Sequence, residues 1–512
     1  MLMNICIMDT SITFVGLLLC TLCGSLYIAQ RIRTARSSPL NAAPDANWSV
    51  KYSGLWIWWQ RTLEKDALAV HQAHLKHGSV LRLAPNELSI NDVDGGLKPI
   101  YTDRMPKTDV YQVANNHGQE PMVALKDEER HRERKRLLAK PHFKTSLMNA
   151  HGWHAEQEKL AEDLKSRLQD IAATQPDLDF YDLFFAWSVA AISTYIFGPG
   201  ESLNFMEDMA AARRTREAYF SQRLYLFLPE IIPIPTEYLR WLGYKPEVPW
   251  IDEMLDRAET TSKSLSSHPF DTVFEFMKRN LRPKDKLRTG DEELSEKQTA
   301  ILSSEMQDQI IAGVDTSMAV LTACAWELSS ERNKHWQEKL RQELRTSVSV
   351  EKLQDLESLP ILNAIIKESL RLYPPVAAGQ PRMTSKPVSL GSFGNQITVP
   401  PSVKVSCQAY SLHRSNVFDR PEEWRPERWI DCTDEKKTEM ERWFWAFGSG
   451  SRKCLGEPLG LSNLRVAVAV IWKDFETQST HKTRLILSHG FISLPCQNKD
   501  GDYMRLRLIR MN

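Results

Sequence analysis

The sequence predicts a mainly α-helical protein with a small β region, preceded by an N-terminal transmembrane helix. Three observations carry this. Residues 12–30, "ITFVGLLLCTLCGSLYIAQ", hold no formal charge and are long enough to cross a hydrocarbon layer as a helix. Residues 79–92, "SVLRLAPNELSIND", alternate apolar and polar positions on either side of Ala84-Pro85, the pattern of a two-stranded hairpin. Residues 295–330 open on Ser295-Glu296-Lys297-Gln298, a capping box, and then run apolar on most sides for about 50 Å of helix.

Taken in order, the first run reads as an anchor (1–31) and not as a cleaved signal. The preceding "MLMNICIMDT" has no Lys or Arg and carries Asp9, whereas Arg31, Arg33 and Arg36 follow the run. The positive-inside bias then puts everything after Arg31 in the cytosol, which leaves the sequon Asn47-Trp48-Ser49 unused. Residues 32–53 are polar, contain Pro39 and Pro44, and suit a linker to a globular body at 54–512. Within that body, "RLYLFLPEIIPIPTEYLRWL" (223–242) is apolar and broken by proline, which leaves open whether it packs in the core or dips into the bilayer.

Lys plus Arg is 65 and Asp plus Glu is 65, so no global charge points to nucleic acid. The 8 cysteines lack both zinc-site spacing and the density of a disulfide scaffold, which favours a reducing compartment. Cys20 and Cys23 form a C-x-x-C, but inside the apolar run, where a redox or metal role is disfavoured.

Three local features ask for an explanation. Gly313, Asp315 and Thr316 interrupt the long helix, where glycine costs about 1 kcal/mol against alanine and a buried carboxylate must be satisfied. Glu368 and Arg371 stand three apart in "LPILNAIIKESLRLYPP" and share a helix face; by themselves they read as a solvated pair. Cys454 lies in "WFWAFGSGSRKCLGEPLG", a basic, glycine-rich turn before a helix start, where free N–H groups favour a thiolate nucleophile or metal ligand. Standing alone, it would more commonly be a buried structural thiol.

It does not stand alone. Residues 447–456, with Phe447, Gly448, Arg452, Cys454 and Gly456, resemble the haem-binding signature of the cytochrome P-450 superfamily. Glu368 and Arg371 match that family's Glu-x-x-Arg, and "PEEWRPERW" (421–429) matches its Pro-Glu-Arg segment, which implies that Arg428 completes a buried Glu–Arg–Arg network. "AGVDTS" (312–317) resembles the oxygen-activation motif, with Asp315 and Thr316 at the acid and alcohol positions. "ALKDEERHRERKRLLAKPHF" (124–143) resembles the haem-facing basic helix, although His131 and Lys135 stand where the family has Trp-x-x-x-Arg. Arg382 in "GQPRMT" and Arg452 fall where the family places propionate arginines, and Phe447 where it shields the sulfur. The likeness spans about residues 50–510 and is greatest to microsomal enzymes of filamentous fungi. Downstream of the cysteine, Gly460 and Asn463 depart from the family's usual Ala and Glu.

The resemblance implies a P-450 fold with the long helix over haem b and Cys454 as axial iron ligand. It implies a monooxygenase with Asp315 and Thr316 as catalytic residues. No flavin or nicotinamide module is visible, so electrons would come from NADPH through a separate membrane reductase, with cytochrome b5 as an optional second donor. Arg132, Arg134, Arg136 and Lys453 form a basic set suited to that acidic partner. The 105–123 loop, Ile310 to Ala312, Val376 to Gln380 and the 490–495 turn are the implied pocket segments, largely apolar with few charge anchors. The expected substrate is a hydrophobic small molecule, a fungal secondary metabolite, and the expected location is the endoplasmic reticulum membrane, single-pass, with the catalytic domain cytosolic. Two rival readings are a reductase-independent haem-thiolate isomerase or lyase, which needs no proton relay for dioxygen, and a non-catalytic haem-binding protein.

Overall fold

The computed structural model describes residue 18 and residues 21–511, apart from 175, 221–237, 239–240, 242, 244–246, 264–267, 283–293, 347–352 and 482. The fold is mainly helical, with four small sheets among the described residues.

At its centre α3 (Phe180–Phe197) is buried at every position, and α5 (Glu296–Leu328) packs along it. Ser295 caps α5 as the sequence predicts: its hydroxyl accepts from the Gln298 N–H while the Gln298 side chain accepts from the Ser295 N–H. The helix runs unbroken through Gly313, and the sequence conflict there has a packing cause. A Cβ on Gly313 would stand 3.0 Å from Ile192 of α3, so the glycine lets the two helices approach, a role that the sequence alone did not disclose.

α3 and α5 are also the two helices among the described residues that are long and apolar enough to cross a membrane, yet 100% and 67% of their apolar windows lie inside the protein. They are core helices. Of the expected N-terminal span at 12–30, residues 12–17, 19 and 20 lie outside the described residues; from residue 21 to 36 the chain is helical and leaves Leu22, Leu26, Tyr27 and Ile28 more than half exposed. Most of 223–242 also lies outside the described residues, Tyr238 and Trp241 being described and exposed.

The predicted hairpin is present as β1 (Val80–Ala84) and β2 (Glu87–Ile90), antiparallel with an irregularity at the turn. β2 then pairs in parallel with β4 (Lys404–Ser406), which pairs with β3 (Arg382–Met383), giving the order β1-β2-β4-β3. This sheet matters for the site because it fixes Arg382, and a further bridge joins Lys107 to Arg382 across 275 positions of sequence. α4 (Met209–Phe220) is held on α3 by a buried carboxylate: Asp182 accepts from Arg213 at 2.7 Å and from Arg216 at 2.9 Å.

Candidate active site

Cys454 precedes α8 (Glu457–Asp474), whose first turn contains Pro458, where its missing N–H costs nothing. The loop ahead of it folds on itself. The Cys454 N–H donates to the Phe447 carbonyl at 2.9 Å, and Trp445 Nε1 donates to Ser449 Oγ at 3.0 Å. Gly448 and Gly450 take φ of 69° and 68°, and a Cβ on Gly450 would lie 2.4 Å from the Tyr101 carbonyl oxygen, so that position admits only glycine. His413 fixes the loop from behind: it accepts the Trp445 N–H at 2.7 Å on Nε2 and donates from Nδ1 to the Arg371 carbonyl at 2.9 Å.

The N–H groups of Gly456 and Glu457 point at the Cys454 sulfur as the helix start predicts, but burial is the larger effect and pushes the thiol up. The sulfur opens into a cavity and is otherwise surrounded by protein, so it is exposed only toward that space. Phe447 and Leu455 line the cavity beside it. α5 also lines the cavity, contributing Asp308, Gln309, Ala312, Gly313, Thr316, Ser317 and Val320. Thr316 thus faces the same space as Cys454, its hydroxyl donating to the Ala312 carbonyl at 2.7 Å. Asp315 does not line the cavity: it is 6% exposed and accepts the Tyr219 phenol of α4 at 3.0 Å. Ile310, expected in the pocket, packs in the core, while Val376, Gln380 and Phe491 do line it.

One edge of the cavity is crowded with cations. Lys107, His131, Lys135, Arg382 and Arg452 all line it. Arg452 donates to the Leu125 carbonyl at 2.8 Å and approaches Glu128 at 3.3 Å; Lys135 donates to the Ser451 carbonyl at 2.9 Å; Arg382 donates to the Tyr111 hydroxyl at 2.7 Å. Burial, with Arg452 and Arg382 nearby, pushes the Lys107 ammonium well down, and burial with Arg452, Lys107 and Lys135 takes His131 to about 3, so it is neutral. Four like charges held together against so little acid are stable only beside a ligand with more than one negative group. A planar group with two carboxylates and a metal facing Cys454 satisfies this arrangement, and haem has both.

Behind the loop, α7 (Pro360–Leu372) carries the Glu–Arg–Arg cluster. Glu368 accepts from Arg371 at 2.8 and 2.9 Å, from Arg428 at 3.0 Å, from Trp429 Nε1 at 2.9 Å and from the Arg425 N–H at 2.8 Å. Glu368 and Arg371 are fully buried, so the solvated-pair reading does not apply to them. The departure at Asn463 is accommodated: Gln157 donates to both Ser462 Oγ and Asn463 Oδ1 at 3.0 Å.

Arg134 requires a correction. It was expected on a basic docking face, but it turns inward on α2 (Glu128–His142) to Glu305 at 2.5 Å with its side chain 11% exposed, because the buried Glu305 needs a counter-charge. Arg132 and Arg136 on the same helix remain exposed. Sequence reasoning missed Lys107, Asp308 and His413. Lys107 reaches the site through its bridge to Arg382, a contact with no local signature. Asp308 stands two turns before Thr316 on α5, and that spacing along an apolar helix was the available signal.

A cysteine sulfur and a threonine-bearing helix lining one cavity, edged with cationic donors suited to a pair of carboxylates, define a haem-dependent oxidoreductase. The Cytochrome P450 family profile matches residues 92–500, and the chain belongs to that family, a family of haem-containing monooxygenases. Similar proteins include a cytochrome P450 monooxygenase, FGM1, of Gibberella zeae, 26% identical over 81% of this chain and 82% of the relative. The fusicoccadiene 8-ol C-16 hydroxylase of Alternaria brassicicola is 26% identical over 79% of this chain and 80% of the relative. The tryprostatin B 6-hydroxylase of Aspergillus fumigatus is 25% identical over 93% of this chain and 81% of the relative.

Proposed function

We propose that this monooxygenase inserts one atom of dioxygen into an apolar small molecule with electrons from NADPH, delivered by a separate membrane reductase. In balance, substrate C–H, O2, NADPH and a proton give the alcohol, water and NADP+. Epoxidation and oxidative ring closure draw on the same supply of oxidant and electrons. Haem supplies the redox centre at which dioxygen is reduced.

The chain's own residues divide the remaining work. Cys454 would hold the iron as a thiolate, since a coordinating thiol is deprotonated outright, and its electron density favours O–O cleavage. Arg382, Arg452 and Lys135, joined by Lys107 and with neutral His131 beside them, would take the two propionates. Phe447 screens the sulfur from water. Thr316 holds a proton at its hydroxyl and can exchange its Ala312 partner for a ligand in the cavity. Asp315 would supply that proton from behind, by turning from Tyr219 toward the cavity side of α5. Glu368, Arg371 and Arg428 hold the proximal side rigid. The observation that carries this reading is that Cys454 and Thr316 line one and the same cavity.

The apolar wall formed by Met122, Val123, Ile192, Val376 and Phe491 supports a hydrophobic substrate. Two of the relatives are named as hydroxylases of fusicoccadiene 8-ol and tryprostatin B, which supports a secondary metabolite here. The division into an anchor at 1–31, a linker at 32–53 and a catalytic domain at 54–512 is proposed with it, as is a single-pass placement in the endoplasmic reticulum membrane. Exposed Leu22, Leu26 and Ile28, with Trp48 in the linker and Leu55 and Trp59 at the start of the body, support that placement. Arg132, Arg136 and Lys453 remain as the docking face for the reductase, and for cytochrome b5 where that second donor takes part.

The test is the carbon monoxide difference spectrum of the reduced protein in microsomes, beside Cys454→Ala. A strongly red-shifted Soret band lost in the variant is the expected result. Its absence from folded, haem-loaded protein overturns the ligand assignment, and product formation without reductase overturns the monooxygenase reading in favour of a peroxide rearrangement.

A further inference from the structure

The cavity contains a carboxylate that none of the roles above uses. We infer that Asp308 is the specificity-determining residue of this cavity, accepting a hydrogen bond from a hydroxyl group on an otherwise apolar substrate. The inference rests on the reading of this cavity as the substrate site.

Asp308 lies on the cavity wall of α5, eight residues before Thr316, which places it about 12 Å farther along the helix axis. A small molecule bound with its reacting carbon near Thr316 spans that distance. The carboxylate is held in place: the Val123 N–H donates to it, and the Lys107 ammonium, itself anchored on the Val123 carbonyl and 4.7 Å from the Tyr111 ring centroid, lies close by. The apolar lining of the cavity includes Met122, Val123 and Phe491, and the buried Glu305, close enough to interact with Asp308, is itself paired with Arg134.

A carboxylate carries about four acceptor sites, and the one N–H that donates to it leaves capacity toward the cavity. Left without a further donor in apolar surroundings it is costly, and burial accordingly pushes the Asp308 carboxyl up to about 7, with Lys107 and the Val123 N–H opposing. A substrate donor relieves that cost, which an isosteric hydrocarbon cannot do.

Charge identifies the donor as neutral. The cations Lys107, Lys135, Arg382 and Arg452 are matched by Asp308, by Glu128 at 3.3 Å from Arg452, and by two propionates. No negative charge is left over to call for a substrate ammonium, so a hydroxyl fits and an amine adds an unmatched charge.

The test uses three cage compounds of one shape: 1-methyladamantane, 1-adamantanol and 1-aminoadamantane. Binding to the holoenzyme is followed by the Soret shift and by calorimetry, in wild type, Asp308→Leu and Asp308→Asn. The alcohol is expected to bind the wild type at least about tenfold more tightly than the methyl compound. Asp308→Leu should abolish that preference while keeping the carbon monoxide spectrum, and Asp308→Asn, which retains one carbonyl acceptor, should keep part of it. Equal affinities in the wild type, or a preference that survives Asp308→Leu, overturn the inference. So does tighter binding of the amine without the red shift of nitrogen ligation. Loss of the thiolate Soret band in the wild type would instead remove the haem-thiolate reading, and calorimetry still reports the hydroxyl preference in that case.

Discussion

Gly450 and His413 show how single residues set the loop that presents Cys454. At Gly450 a methyl group would meet the Tyr101 carbonyl oxygen at 2.4 Å with φ at 68°, so neither the space nor the backbone tolerates it. Gly450→Ala is therefore expected to lower Soret absorbance per mole of purified protein and to cost more than about 1 kcal/mol in urea unfolding. His413 is buried and neutral, with burial taking its pKa to about 3 against 6.5 for a free histidine. Between those values the unfolded chain binds a proton that the folded chain does not. Stability that is complete above pH 6.5 is thus lost as pH falls, at up to about 1.4 kcal/mol per pH unit. His74, taken to about 4 by burial, adds a slope of the same sign. Urea midpoints between pH 7.5 and 5.5 should fall less steeply in His413→Gln than in the wild type; equal slopes would assign the effect elsewhere. At Thr316, replacement by Ala should divert NADPH to peroxide and lower product per NADPH, whereas unchanged coupling would remove the hydroxyl from proton delivery.

Between elements, two buried carboxylates act as clamps. Glu368 ties α7 to the 421–429 segment through three donor groups, the Arg425 N–H, Arg428 Nε and Trp429 Nε1, and Asp182 ties α4 to α3 through two arginines. Removing one partner leaves buried charge uncompensated, which costs about 3–5 kcal/mol. Glu368→Ala should therefore unfold at markedly lower urea concentration and retain little haem. Asp182→Ala should loosen α4, and since Tyr219 lies on that helix, it should also free Asp315. Peroxide yield that changes in Asp182→Ala, and changes alike in Tyr219→Phe, would tie proton delivery to the seating of α4. A carbon monoxide spectrum of wild-type shape in both variants separates this from damage to the proximal loop.

At the level of the whole molecule, the structure divides its charges by purpose. Lys107, Lys135, Arg382 and Arg452 face inward on the cavity, while Arg132 and Arg136 face solvent. Paired Arg132→Glu and Arg136→Glu substitutions should raise the KM for the reductase several-fold at low salt and leave the Soret spectrum untouched. Unchanged KM would place docking on another face. A chain beginning at residue 31 should move largely from the membrane pellet to the supernatant in sedimentation, with any remainder held by the exposed Trp48, Leu55 and Trp59.

The sequence by itself determined the helical character, the capping of α5 at Ser295, the hairpin at 80–90 and the motif around Cys454, because each depends on neighbours within a turn or a few residues. The same locality made the Glu368–Arg371 pair legible, though not its burial. The tertiary structure alone decided which charges face inward. Arg134 reads like Arg132 and Arg136 on a basic helix, and only the position of Glu305, 171 residues away, turns it into the core. Lys107 joins the cation cluster through a bridge to Arg382, and Asp315 is drawn out of the cavity by a phenol on α4. Burial and long-range pairing set the energy of a charge, and neither is encoded within a window of sequence.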